Sequence, residues 1–459
     1  MKAERKLYEL TPSQEVVKMQ LLFSLDKRVI NIVSSATINK SIDVEVMKQA
    51  ISLVVERNDC LRLRFVKKGF KLMQYFDENA SCDEIPLVEF KTQNEQEKFI
   101  QQEIKKPIKY LKGKVIEFTL CKTYDKKDML FVKVCHYVLD TYGIMVILKD
   151  VFNVYEALVN KSELPSLPGK FEEIVKKEIE KKNDKQILGK RLQFFKDYFK
   201  DREEPYYAGV SGLSNKRAVK SFKSHNMKMF FVKNQTKGYM KEIPKELVQE
   251  IIYYCEQNNV TPSSLMFYAS ALTLSKMNNN VKNIFPLELC NCRATALDRK
   301  CAGTKVQSLG TYIELDERQT VVENFAKFCK NKYTFYRYIG VSDVAFQHMT
   351  HKIWKSSPTH TYYPICFSFI PMSKAKDVDF RLYSNGKFAL PCYLGIMFDV
   401  DELTMRVIYD AQTKLINEND VDFFQKNYQS VIKQIIINGD KKIEDIKVDT
   451  SKNIIRKKK

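Results

Sequence analysis

The chain has 459 residues, and this length predicts two or three domains rather than a single core. Hydrophobic residues make up 44% and aromatic residues 12%, which is enough to bury large cores and argues against a disordered chain. The net charge of +20 favours acidic partners. Lysines spread along the whole chain also fit the compositional bias of an AT-rich coding sequence, so charge alone does not choose a partner.

Cysteine usage and hydropathy predict a cytoplasmic location. The eleven cysteines are odd in number and irregularly spaced, which indicates reduced thiols rather than a disulfide framework. The first residues lack the apolar segment of a signal peptide, and no run approaches the roughly 18 apolar residues of a membrane span. No helix-turn-helix, zinc-finger or RNA-binding signature accompanies the positive charge, so we expect no nucleic-acid partner.

The first 170 residues predict a mixture of helices and strands. Apolar residues at helical spacing indicate one helix after Ser41 or Asp43 and another over 146–158. Alternating apolar residues indicate strands at 29–37, 61–66, 72–76, 115–122 and in the stretch that ends at His136. The prolines and glycine of 164–169 end this part of the chain.

The second half repeats this mixture after a charged helical stretch over 171–201 and a loop over 205–222. Strands are predicted at 227–231, 283–291, 306–314 and 363–370, and a hairpin over 394–409. A final helix over 418–437 and a basic tail at 456–459 follow. Helices and strands do not alternate strictly, so the prediction is an α/β fold of α+β sandwiches rather than a doubly wound sheet. We expect an N-terminal lobe over 1–170, a connecting helix and loop over 171–225, and a C-terminal lobe over 226–459.

The stretch around His136 carries the strongest chemical signal. Apolar residues alternate through 130–134 and place His136 on their face at the end of a strand, while Cys135 points to the other face. Asp140 follows four residues later, and Gly143 precedes a helical pattern. A histidine is largely neutral at pH 7 and can act as a general base. A hydrogen-bonded structural histidine is the alternative interpretation of the same pattern.

The remaining histidines do not predict a metal site. His348 and His351 lie three residues apart and could share a helix face, but no nearby cysteine or carboxylate set completes a ligand sphere. We expect Trp354, beside them, to be a packing residue.

Several motifs resemble the condensation domains of nonribosomal peptide synthesis, which belong with chloramphenicol acetyltransferase and other CoA-dependent acyltransferases. Cys135-His136-Tyr-Val-Leu-Asp140-Thr141 is similar to the family hallmark His-His-x-x-x-Asp-Gly, with Cys135 in place of the first histidine and Thr141 in place of the glycine. The flanking similarities follow in the family's order, at Leu10–Gln14, Glu56–Phe65, Ile144–Leu158 with Asp150 and Tyr155, Asn259–Ser264, Cys292-Arg293 and Leu309–Ile313.

The resemblance implies two chloramphenicol-acetyltransferase-like lobes set as a V, with a central substrate tunnel between them. It also implies that His136 is catalytic and that Asp140 orients the loop by pairing with an arginine. Arg62 is our preferred partner over Arg64. Because Thr141 occupies the usual glycine position, we assign the loop turn to Gly143, which tolerates a positive φ.

The implied reaction is acyl transfer from a thioester on a phosphopantetheine arm, carried by a carrier protein in trans or by CoA as co-substrate. No cofactor or metal is expected to be bound permanently. His136 would accept the proton of an amine or hydroxyl acceptor, or position it, and Cys135 would not be a nucleophile. Two alternatives stay open: a CoA-dependent acyltransferase for a small alcohol or amine, and a catalytically degenerate protein that binds carriers or partners.

Overall fold

The computed structural model describes residues 5–22, 24, 26–82, 84–212, 225–229, 234–372 and 378–451. Within these residues the chain forms helices at α1 Pro12–Leu22, α2 Val44–Arg57, α3 Gln93–Lys105, α4 Thr141–Asn160, α5 Phe171–Asn183, α6 Lys185–Phe199, α7 Lys245–Gln257, α8 Pro262–Met277, α9 Ala296–Lys300, α10 Val321–Arg337, α11 Asp343–Ile353 and α12 Glu418–Ile437. None of these helices is both long and apolar enough to cross a membrane.

Strands are distributed over both halves of the chain. They are β1 Asn31–Ile38, β2 Leu63–Lys68, β3 Lys71–Phe76, β4 Leu87–Glu89, β5 Ile116–Lys122, β6 Asp128–Cys135, β7 Met227–Lys228, β8 Thr236–Ile243, β9 Asn283–Ile284, β10 Leu287–Cys290, β11 Gln307–Gly310, β12 Ile313–Glu314, β13 His360–Thr361, β14 Cys366–Met372, β15 Val378–Tyr383, β16 Cys392–Asp399 and β17 Thr404–Gln412. The mixed α/β class is therefore confirmed.

The described chain divides into two compact units. The first contains residues 1–185, 291–307 and 372–387, and the second contains 186–290, 308–371 and 388–459. The first is built on a five-stranded sheet with the order β15-β1-β6-β5-β4. β6 lies at its centre, antiparallel to both β1 and β5, and every residue of β6 is buried.

A buried lysine lies among the apolar residues of this central strand. The Lys133 ammonium lies 2.8 Å from a carboxylate oxygen of Glu103 in α3 and 2.6 Å from one of Glu117 in β5. Two carboxylates compensate the buried charge, which would otherwise be costly inside a sheet. Helices α2 and α4 pack against each other in the same unit.

The second unit has a six-stranded sheet with the order β11-β10-β14-β16-β17-β8. Its core contains α8, in which every residue from Ser264 to Met277 is buried. A helix that is buried on all sides requires neighbours around it, and α7, α10 and α12 all contact it. β16 and β17 form the predicted hairpin, now extended to Cys392–Asp399 and Thr404–Gln412.

The observed units differ from the predicted continuous borders at 170 and 225. The segments 291–307 and 372–387, expected in the C-terminal lobe, belong to the first unit. β15 pairs with β1 from Val33↔Tyr383 to Ile38↔Val378, a contact that no local pattern indicates. The predicted charged helix over 171–201 is two helices, and α5 belongs to the first unit while nearly all of α6 belongs to the second.

The predicted V and its central tunnel depend on how the two units are arranged, and they stay predictions. The predicted loop over 205–222 and strand over 227–231 lie partly outside the described residues, and the basic tail at 456–459 lies wholly outside them.

Candidate active site

His136 is the first residue after β6, and its backbone is held from both sides. Its N–H donates to the carbonyl of Ile30, at 2.8 Å. Its carbonyl accepts from the hydroxyl of Thr304, at 2.6 Å. Its neighbours Cys135 and Tyr137 are fully buried, whereas His136 itself is only half-buried. The fold therefore fixes this residue while leaving part of it accessible.

The imidazole ring is oriented by the loop in which it lies. Nδ1 of His136 is 3.1 Å from the carbonyl oxygen of Leu139. A carbonyl only accepts, so Nδ1 carries the hydrogen in the neutral ring and Nε2 keeps a lone pair. Burial lowers the pKa of His136 below its ordinary value, although the charge of Asp140 and the Leu139 carbonyl act in the opposite direction. The ring is thus neutral at pH 7 and presents a basic nitrogen.

Asp140 is the N-cap of α4, and its buried carboxylate collects five hydrogen bonds. Backbone N–H groups donate from Gly143 at 2.8 Å, from Lys305 at 2.9 Å and from Val306 at 3.2 Å. The guanidinium of Arg293 donates to both oxygens, each at 2.9 Å. Burial raises the pKa of Asp140, but the charge of Arg293 and the donors outweigh it and hold the pKa below its ordinary value. Asp140 is therefore ionised and organises the loop.

The prediction that Arg62 pairs with Asp140 is wrong. Arg293 makes this pair across 153 residues of sequence, and Arg62 instead donates to the backbone carbonyl of Glu78 at 3.4 Å. The Tyr142 ring covers Arg293, with its centroid 4.6 Å from the guanidinium carbon. Among the motifs of the resemblance, only Cys292-Arg293 contains the residue that pairs with Asp140, and it was the one signal that could have indicated this arginine.

Gly143 supports the loop for a different reason from the one predicted. It lies in the first turn of α4 and does not have a positive φ. A Cβ at this position would lie 3.1 Å from the backbone nitrogen and oxygen of Gly303. Gly303, which faces it, has a positive φ of +114°. Gly143 is therefore required for close approach of two backbones, not for a turn.

The segment 303–306 holds the loop that carries His136. Its members donate to His136 and Asp140 as described above, and the Gly303 carbonyl accepts from Arg293 at 2.6 Å. Lys305 is itself anchored, because its ammonium lies 2.6 Å from Asp298 and 3.2 Å from Glu178. Sequence reasoning missed this segment, since backbone donors leave no signature in side-chain chemistry and a single threonine hydroxyl is too common to indicate a site.

A family model described as the condensation domain matches residues 4–453 of the chain. The chain belongs to the condensation-domain family. Condensation domains are acyltransferases that join carrier-bound acyl or aminoacyl groups to amines. The prediction of the family is thus confirmed.

Individual relatives are distant in sequence. A plipastatin synthase of Bacillus subtilis (strain 168) is 18% identical over 445 residues, which are 94% of this chain and 16% of that protein. The chain therefore spans a small part of this curated relative.

Solved structures share the fold. A mutant of the starter condensation domain of rhizomide synthetase RzmA, in complex with C8-CoA, has a TM-score of 0.78 at 14% identity, over 97% of this chain and 98% of that one. The first condensation domain of the calcium-dependent antibiotic synthetase, with a substrate analogue, also has a TM-score of 0.78, at 12% identity over 98% and 100% of the two chains.

Two flanking motifs of this condensation domain hold the residue after His136. The amide of Gln14 donates to the carbonyl of Tyr137 at 3.0 Å. The ring of Phe65 packs on the Tyr137 ring, with centroids 5.3 Å apart, and Tyr110 lies 5.4 Å away. Leu10–Gln14 and Glu56–Phe65 therefore contribute to the site by packing against its loop.

The cysteines contribute no nucleophile to this loop. Burial raises the pKa of Cys135 to about 12, so its thiol stays protonated at neutral pH. All eleven cysteines lie in the described residues, and none of them forms a disulfide.

Metal ligands do not gather at the remaining histidines. His348 is exposed on α11, and His351 is buried with its ring 5.8 Å from that of Tyr362. In the part of the chain that the structure describes, no group of three or more histidine, cysteine, aspartate or glutamate side chains could hold a metal ion. Trp354 is buried and packs on Phe199 and Phe285.

Proposed function

We propose that this condensation domain joins a thioester-bound acyl or aminoacyl group to an amine, with His136 as the general base. The observation that carries the proposal is the state of the His136 ring. Its Nδ1 is engaged by Leu139 and its pKa is lowered, which leaves Nε2 as a neutral acceptor on a half-buried residue. A rigidly held acceptor of this kind is what proton removal from an attacking amine requires.

The proposed reaction proceeds through a tetrahedral intermediate. The amine nitrogen attacks the thioester carbonyl carbon, a C–N bond forms, and the carbonyl π electrons move to oxygen. Nε2 of His136 accepts the proton that the amine loses. When the intermediate collapses, the C–S bond breaks, and the departing thiolate takes this proton from the imidazolium. His136 is neutral again, and no covalent enzyme intermediate forms.

Asp140 has a positioning role in this proposal. The hydrogen bonds described for it run to the backbone and to Arg293, so the carboxylate orders the loop and does not reach for a substrate. Its charge also raises the pKa of His136, against the lowering by burial. Asp140 therefore helps the imidazole to hold the transferred proton.

The donor and acceptor classes follow from the family and its neighbours. RzmA condensation-domain mutants have been solved with C8-CoA, and one also with Leu-SNAC. We infer that this chain uses a phosphopantetheine thioester as donor, on a carrier protein or on CoA, and an amine as acceptor. A hydroxyl acceptor is the less supported alternative, because no contact among the described residues of the site favours it.

Comparing His136→Ala with wild type tests the general-base assignment. The assay would follow amide formation from octanoyl-CoA and an octanoyl carrier protein with Leu-SNAC, by mass spectrometry. We expect kcat to fall about 10²- to 10⁴-fold. The ordinary pKa of histidine is about 6.5, and that of His136 is lower. In wild type, kcat should therefore fall at some pH below about 6.5, where His136 becomes protonated and can no longer accept a proton.

His348→Ala is the matched control, because His348 is exposed on α11. It should leave kcat unchanged. Equal turnover by wild type and a folded His136→Ala variant would refute the general-base role. No turnover by wild type with either donor would refute the reaction for this substrate pair.

A further inference from the structure

The hairpin of β2 and β3 stands apart from the large sheets and presents an aromatic ring to solvent. β2 and β3 form a two-stranded sheet with each other, and Gln74 of β3 also forms an antiparallel bridge with Tyr8 at the base of the hairpin. At its tip Phe70 is 109% exposed, the largest value among the exposed large hydrophobic residues of the described chain. Gly69 has a φ of +58°, and a Cβ there would meet nothing within 4 Å. The tip is therefore surrounded by solvent.

Lysines flank this ring on both strands. Lys67, Lys68 and Lys71 are all exposed, and Lys68 is paired directly with Lys71 in the strand register. Glu9 lies 3.2 Å from Lys71. Within the described residues, Lys67 and Lys68 form no ion pair. The tip thus combines an aromatic anchor with uncompensated positive charge.

The base of the same hairpin contacts the loop that carries His136. Phe65 packs on Tyr137, and Gln74 bonds to Gln14, whose amide holds the Tyr137 carbonyl. β2 continues for three residues beyond Phe65 to Lys68, which is about 10 Å at the usual rise of a strand, and Gly69-Phe70 form the turn. A partner bound at the tip would therefore be linked to the catalytic loop through one short hairpin.

We propose that the β2–β3 tip is the docking site for an acidic carrier protein that delivers the donor thioester. The inference rests on the proposed function. Phe70 fills an apolar depression on the carrier, and Lys67 and Lys68 face its carboxylates, since a central aromatic with a charged rim is the usual form of a binding hot spot.

A membrane is the less favoured occupant. A single aromatic ring buries only about 150–250 Å², and stable membrane attachment requires a second anchor. The base of the hairpin contacts Tyr137, so a partner that delivers substrate would bind close to the loop that carries His136. Binding to a lipid surface does not require this contact.

The test combines Phe70→Ser with Lys67→Glu and Lys68→Glu. Its matched control combines Tyr253→Ser with Lys245→Glu and Lys433→Glu, because these residues are also exposed and lie in the second unit. Octanoyl-CoA and an octanoyl carrier protein carry the same acyl-phosphopantetheine group, so they differ only in the docking partner. We expect kcat/KM for the carrier donor to fall about 100-fold in the tip variant, with the CoA donor and the control unchanged.

Equal losses with both donors would overturn the proposal, because the hairpin would then act through the catalytic loop. If wild type turns over neither donor, the proposed function fails, and fluorescence anisotropy with the labelled carrier protein decides the docking question. Weaker binding by the tip variant would support docking, and equal or absent binding would overturn it. Loss of binding to anionic phospholipid vesicles with unchanged carrier binding would assign the tip to lipid instead.

Discussion

Two buried ion pairs, one in each unit, have nearly the same local geometry. Arg293 and Asp140 approach to 2.9 Å with side-chain exposures of 1% and 6%. Lys332 and Glu288 also approach to 2.9 Å, with exposures of 2% and 3%. Distance and burial therefore do not separate the pair beside His136 from the pair in the second unit.

The partners of the two carboxylates differ. Both oxygens of Asp140 accept hydrogen bonds, including three from the backbone of α4 and of 303–306. One oxygen of Glu288 accepts from Tyr336 at 2.6 Å, whereas the other has no hydrogen-bond partner within the described residues. The first pair joins separate segments around a reactive residue, and the second joins β10 to α10. Connectivity, rather than burial, distinguishes the pair beside the proposed general base.

Among the variants that test this comparison, Arg293→Ala should lose the most stability and activity. The change leaves a buried carboxylate without its counter-charge, which costs about 3–5 kcal/mol of unfolding free energy. It also releases Gly303 and the segment that holds His136, so kcat should fall together with stability. Urea denaturation and the amide-formation assay measure the two effects.

Arg62→Ala is the control for Arg293, because the sequence alone favours Arg62 as the partner of Asp140. Its one long hydrogen bond to Glu78 predicts a loss below about 1 kcal/mol. Arg293→Lys keeps the charge but loses the bidentate hydrogen bonding to Asp140, so its loss of unfolding free energy should lie between those of Arg62→Ala and Arg293→Ala. A larger effect from Arg62→Ala than from Arg293→Ala would contradict the assignment.

Lys332→Met should destabilise the protein by about 3 kcal/mol, at the low end of the range for a broken buried pair. Tyr336 still donates to Glu288, and methionine keeps contact with the rings that surround Lys332. Because the contacts described for this pair lie within the second unit, kcat of the folded variant should equal that of wild type. A tenfold lower kcat at a temperature where the variant is folded would contradict the claim that only the Arg293–Asp140 pair supports turnover.

Local sequence patterns predicted most of the secondary structure, because they depend on neighbours in the chain. Alternation indicated β6, and helical spacing indicated α2 and α4. The same patterns could not reveal that β15 pairs with β1, since strand pairing across hundreds of residues depends on tertiary packing. The unit borders were therefore the weakest part of the prediction.

The site was predictable where a side chain carries the chemistry and unpredictable where the backbone does. His136 and Asp140 are visible as a spaced pair of reactive residues. Arg293 belongs to one motif of the resemblance, but nothing in that motif says which carboxylate the arginine pairs with. The donors at Lys305 and Val306 are peptide N–H groups, which every residue except proline has. Only the folded chain identifies them.

Gly143→Ala is the smallest change that tests the crowding around Asp140. Alanine is favoured over glycine inside a helix by about 1 kcal/mol. At Gly143 the new Cβ would press on the backbone of Gly303, and overpacking of this kind costs about 1–3 kcal/mol. Gly189 in α6 is the matched control, because a Cβ there meets nothing within 4 Å. Urea denaturation should show that Gly189→Ala stabilises the protein and that Gly143→Ala does not; stabilisation by both would refute the close approach as the reason for this glycine.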